Sequence, residues 1–127
     1  MKRIATVLIF TFFTTHSYSQ GSDDFSIFFI SFSNDCIFQY SHVMDTVALL
    51  LYHDEEINNN EKFDTIKLFK NQWECIDFDQ YDNYKKEIKD QIAIIYSRIV
   101  DTGVSLSFRF IFVEEKWFLC RIVDYSM

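Results

Sequence analysis

The sequence predicts an α+β domain in which one N-terminal helix lies across an antiparallel sheet. Phe25, Phe28, Phe29 and Phe32 recur at helical spacing, which gathers four aromatic rings on one face of a helix. In the last third, VSLSFRFIF (104–112) alternates with a period of two, and WFLCRIVDY (117–125) follows after the charged Glu114-Glu115-Lys116. That is the pattern of two strands joined by a turn. A helix with one apolar stripe and a sheet with one apolar side each bury that surface by meeting the other.

The elements follow in order. Lys2 and Arg3 precede a largely apolar run, Ile4 to Phe13, and the small residues Ser17 and Ser19 come soon after. This predicts a secretory signal cut before Gln20. Ten residues of helix reach only about 15 Å, half of a hydrocarbon core of roughly 30 Å, so a leader fits better than a membrane span. The expected organisation is a signal peptide over 1–19 and one domain over 20–127, exported to the periplasm or secreted.

Ser22-Asp23-Asp24 reads as a capped helix start, a hydroxyl for an exposed amide and two carboxylates at the positive end of the helix dipole. Cys36, eleven residues after Phe25, extends the aromatic face, and Ser26, Ser31, Ser33 and Asp35 form the wet one. Helical spacing is lost over 37–52, where Val47 to Tyr52 reads as a strand. The polar stretch 53–64 reads as an exposed loop, 66–78 as two short strands or one bent one, and 79–90 as a polar separator. Residues 92–100 are dense in β-branched side chains and Asp101-Thr102-Gly103 supplies a turn, so 92–125 is expected to be a three-stranded meander. Leu106, Phe108, Phe110 and Phe112 share its apolar face, with Ser105, Ser107 and Arg109 opposite.

Charge narrows the partners. The leader holds two of the 12 basic residues, which leaves ten against 19 acidic ones, about −9 for the 108 residues after it. Phosphate backbones and anionic membrane surfaces are poor partners for such a chain, so neither nucleic acid nor a membrane is expected. Cys36, Cys75 and Cys120 are an odd set. They permit at most one internal disulfide in an oxidising compartment, its pairing open, and a buried free thiol is the plainer expectation at each position. No spacing here suggests a metal or another cofactor.

The phenylalanines of the first helix, then Asp35, Phe38, Gln39 and Ser41 as D-x-x-F-Q-x-S, then the closing KWFLCRIVDYS resemble a family of exported proteins of Gram-negative gut-type bacteria, classed as a domain of unknown function. That family is similar to the nuclear transport factor 2-like superfamily. The family continues after the serine with arginine and a phenylalanine-proline pair, where this chain has His42 and Val43. The resemblance implies a curved antiparallel sheet closed by helices into a cone. It also implies a pocket at the open end, used by some members for acid–base chemistry and by others for ligands or assembly.

Candidate chemistry is sparse. His42 and Asp45, three apart, could share a helical turn as a base and its orienting carboxylate, although a solvated histidine is the plainer expectation. His53 to Glu56 offers hard ligands, but consecutive residues cannot all converge on one ion. Arg109 and Arg121 could hold an anion, or pair with Glu and Asp across the sheet. Trp73, Trp117, Tyr96 and Tyr125 could line an aromatic pocket, Tyr96 and Trp117 together with the two arginines, or simply be core. The expectation is thus an exported binding or interaction domain for a small molecule or peptide, more a binder than an enzyme. The alternatives are an isomerase- or dehydratase-like enzyme and a homodimeric structural protein.

Overall fold

The computed structural model describes residues 17–53 and 63–126. The leader read over 1–19 therefore falls outside them except at its last three residues, as does 54–62 of the polar loop. Helix α1 spans Ser17–Asn34 and α2 spans Cys36–Ser41; six strands follow, β1 Val43–Tyr52, β2 Phe63–Phe69, β3 Asp82–Lys89, β4 Ile92–Arg98, β5 Ser105–Val113 and β6 Lys116–Asp124. Because α1 already runs through Ser22, that serine is inside the helix and does not cap it.

Three polar residues end α1 early. Ser33 Oγ and Asn34 Nδ2 donate back to the carbonyls of Phe29 and Ile30, and Asp35 turns extended and accepts from the amides of Ile37 and Phe38. Such side chains offer the backbone an alternative to continued helix, and a carboxylate in this place begins the next one. Cys36 is consequently the first residue of α2 and exposed, not part of the aromatic stripe. The outer face of α1 also differs from expectation: Ile27 and Ile30 are exposed there, while Ser26, Ser31 and Ser33 are half-buried.

The strands form one open sheet in the order β2-β1-β6-β5-β4-β3. Four pairings are antiparallel, and the meander β4-β5-β6 stands as expected. The central contact of β1 with β6 is parallel, so the sheet is mixed. That pairing joins strands far apart in sequence, so it needs no tight turn. Leu119 N–H donates to the His42 carbonyl and fixes the point where β1 enters.

Two sequence expectations fail at the sheet's edges. The separator 79–90 contains β3, an edge strand in which only Ile88 is half-buried. A strand that buries almost nothing shows no apolar alternation, and lysines on such an edge discourage unwanted pairing. The 66–78 stretch is strand only to Phe69, then two short 3₁₀ turns, Lys70–Gln72 and Phe78–Gln80, with extended chain between them.

The core is where the sequence puts it. Phe110 stands between α1 and the sheet, with ring centroids 5.2, 5.7, 6.0 and 5.1 Å from Phe25, Phe28, Phe29 and Phe32. Edge-on contacts dominate, as the ring quadrupoles favour. Phe78, Phe108, Trp117 and Leu119 complete the cluster. Burying each such side chain contributes on the order of 2 to 3 kcal/mol.

Candidate functional site

The register fixes which side chains share a face. On the inner side, Ile66, Leu49, Ile122, Phe108, Ile95 and Lys86 form one row across all six strands. The matching row on the outer side is Lys67, Ala48, Arg121, Arg109, Ile94 and Glu87. A one-residue step along any strand changes the face, so these two rows decide the fate of the predicted site residues.

The four residues proposed for one ligand do not converge. Trp117 points inward, is 3% exposed, and packs 5.0 Å from both Phe25 and Phe112; it is core. Arg109, Arg121 and Tyr96 lie on the outer face. The Tyr96 hydroxyl donates to Glu87 at 2.8 Å, and Lys85 sits over its ring at 5.1 Å. This hydrogen bond pushes the Tyr96 hydroxyl above its ordinary range and, with Lys85, holds the Glu87 carboxyl below its own.

His42 and Asp45 do not share a helical turn either. His42 closes α2, whereas Asp45 lies within β1, exposed. His42 Nδ1 is 2.8 Å from the Phe38 carbonyl, which can only accept, so that nitrogen carries the proton. The ring stacks on Phe38 with centroids 4.0 Å apart. Its polar edge is thus used to end the helix. His53 Nε2 lies 2.6 Å from an Asp64 carboxylate oxygen, within hydrogen-bond reach; Asp54, Glu55 and Glu56 lie outside the described residues. Among the described residues no group of side chains has metal-ligand geometry, and no helix is long and apolar enough to cross a membrane.

Of the aromatic residues read as pocket-lining, Trp73 borders a cleft on the inner face whose position the sequence did not reveal. After β2 the 3₁₀ turn at Lys70–Gln72 carries the chain back over the sheet, and Trp73 to Ile76 form a wall facing Leu68 and Ile122. The space between them is ≈ 300 Å³ and its lining is mostly apolar. α1 fills the other end of this face with phenylalanine and leaves this end open.

Two constraints hold the wall. Gln39, fully buried, donates through Nε2 to the carbonyls of Phe32 and Ile76, and its Oε1 accepts from Trp73 Nε1–H and from Ile76 N–H. All the hydrogen-bonding capacity of one amide is thus spent on the α1–α2 junction and the wall. Beside it, Cys36 and Cys75 form a disulfide across a sequence separation of 39. This overturns the free-thiol expectation at both positions, because the break at Asp35 turns Cys36 outward; Cys120 alone is free. Beyond Ile76, Tyr81 packs on Phe78 and Phe108. Burial chiefly, then the charges of Asp124 and Asp77, raises its hydroxyl above the ordinary range, which keeps it a neutral hydrogen-bond donor.

No protein-family model matches the chain, and no curated protein matches it. Solved structures do. An NTF2-like protein from Bacteroides fragilis NCTC 9343 superposes with a TM-score of 0.56 at 20% identity. The match covers 79% of this chain and 46% of that one, so this chain spans under half its length. A DUF4783 family protein from Bacteroides uniformis ATCC 8492 superposes with a TM-score of 0.50 at 12% identity, covering 76% and 91%. At such identities the likeness establishes architecture: the chain has an NTF2-like α+β fold, a helical layer on an open sheet. Fold alone does not assign an activity.

Proposed function

We propose that the chain is an exported, non-catalytic domain that binds a small apolar molecule or an apolar peptide side chain in the cleft between β2, β6 and the Trp73–Ile76 wall. The observation that carries this reading is the cleft itself. Its volume of ≈ 300 Å³ is at the small end of ligand sites, and its apolar lining beside a few polar groups is their usual composition. The polar side chains bordering it are those of Gln72 and Glu74. The disulfide supports export, since such bonds persist in oxidising compartments. The catalytic alternative has less support, because His42 is engaged in ending α2 and Asp45 lies exposed within β1.

The test is titration with the neutral fluorophore N-phenylnaphthylamine. Saturable enhancement is expected, lost in Leu68→Arg, which puts a charged chain into the cleft. Trp73→Phe should abolish the accompanying change in tryptophan emission. Enhancement equal in Leu68→Arg and wild type would defeat the proposal.

Self-association is a second reading, favoured by apolar residues left in water on the helices: Ile27 is 66%, Ile30 64% and Ile37 83% exposed. Ile27 and Ile30, three apart, share one face. Sedimentation velocity over a concentration series should show a dimer that Ile30→Lys disrupts, and a monomer throughout would remove this reading.

A further inference from the structure

On the outer face Arg109 and Arg121 are direct cross-strand partners, and like charges so placed repel. Cys120 is the extra residue of a bulge between them, since Arg109 pairs with Arg121 and Phe110 with Leu119. The two arginines therefore sit side by side on the outer face of the β5–β6 pair. Neither forms an ion pair among the described residues. The carboxylate on their row, Glu87, is already held by Tyr96 at 2.8 Å and Lys85 at 3.4 Å. Arg109 Nε is shielded from solvent yet has no hydrogen-bond partner among the described residues. Two adjacent cations and one unmet N–H are the complement of an anion.

The surroundings specify which anion. Arg109 borders a groove of ≈ 730 Å³ against the β3 edge, whose floor is Ile92 and Ile94 and whose far side carries Lys89, Glu87 and Asp90. An apolar floor suits a hydrocarbon tail, and with Lys86 and Lys89 set against Glu87 and Asp90 the uncompensated charge of the lining is that of Arg109, which suits a singly charged head. We infer that Arg109 and Arg121 bind the head of a small monocarboxylate whose apolar tail lies along Ile94 and Ile92. This site is on the opposite face of the sheet from the cleft proposed above and does not depend on it. The guanidinium fork matches a carboxylate in two parallel bonds, and the ligand removes the repulsion between the arginines.

Thermal unfolding of the full chain in hexanoate, acetate, hexanol and inorganic phosphate at matched ionic strength tests this. Hexanoate is expected to raise the midpoint saturably, with acetate and hexanol, head and tail alone, far less effective. Arg109→Gln and Arg121→Gln should each weaken the apparent affinity about tenfold or more. Arg121→Gln without ligand should also melt no lower than wild type, because it relieves the repulsion; this keeps the test informative if Arg109→Gln folds poorly. The inference is overturned if hexanoate gives no saturable shift, if both variants respond as wild type does, or if phosphate matches hexanoate. A response lost in Leu68→Arg but kept in the arginine variants places the carboxylate in the inner cleft, and overturns it equally.

Discussion

Gln39 shows how much one side chain decides. In the sequence it is a single polar residue in a short aromatic motif; in the fold it joins the end of α1 to the cleft wall through four hydrogen bonds. Gln39→Leu fills much the same volume but leaves the Ile76 amide and the Trp73 indole without acceptors, at about 1–3 kcal/mol for each buried donor. Urea unfolding should show a loss of about 2 kcal/mol or more, with weakened binding in the cleft. Cys120 supplies a pH prediction. Burial, only partly opposed by Arg109 and Arg121, raises its thiol above the usual 9.0. A pKa higher in the folded state means this contribution is whole below the ordinary thiol range and fades as pH rises through the raised value. Relative to Cys120→Ala, wild type should therefore lose stability above about pH 9, and at pH 8 iodoacetamide should alkylate native Cys120 more slowly than a peptide thiol.

Among the elements, the short helices and turns were the hardest to read and the most consequential. Ser33-Asn34-Asp35 carries a helix stop and a restart, a signal present in the sequence but hidden because the apolar spacing runs on to Cys36. The β5–β6 turn places Glu114 and Glu115 at φ 51° and 65°, a conformation that usually selects asparagine and glycine. The sequence gives the turn's position through charge, not through these residue types. The Cys36–Cys75 bond ties α2 to the wall. At a sequence separation of 39, chain-entropy arguments give it about 4 kcal/mol. Denaturation with and without a phosphine reductant should reveal a loss of that order, and Cys36→Ser should reproduce it. Trp73 emission should shift to the red at denaturant concentrations where the bulk of the sheet persists, because the wall is held by fewer apolar contacts than the core.

For the whole molecule, stability rests on one aromatic cluster shared by the first helix and the last strands. Phe110 touches all four phenylalanines of α1 and is fully buried. Phe110→Ala should cost about 3–5 kcal/mol, read as a single cooperative shift in calorimetry, since helix and sheet depend on the same contact. Two separate transitions would show that the layers fold apart. The two sites proposed, at the open end of the inner face and at the arginine pair, lie on opposite faces of the sheet, so substitutions in one should leave binding at the other unchanged.

The amino-acid sequence determined the fold class, the aromatic helix face, the meander and the contact between them, because each is written as a periodicity that local geometry converts directly into a buried surface. It did not determine β3, which buries too little to leave a pattern, nor the parallel β1–β6 contact, which joins strands far apart in the chain. The grouping of site residues was decided by tertiary structure alone. Trp117 and Arg121 are four residues apart, yet the bulge at Cys120 and the alternation of β6 send one into the core and the other to the outer face. The cleft exists only because a loop folds back over the sheet, where a disulfide and one buried amide hold it.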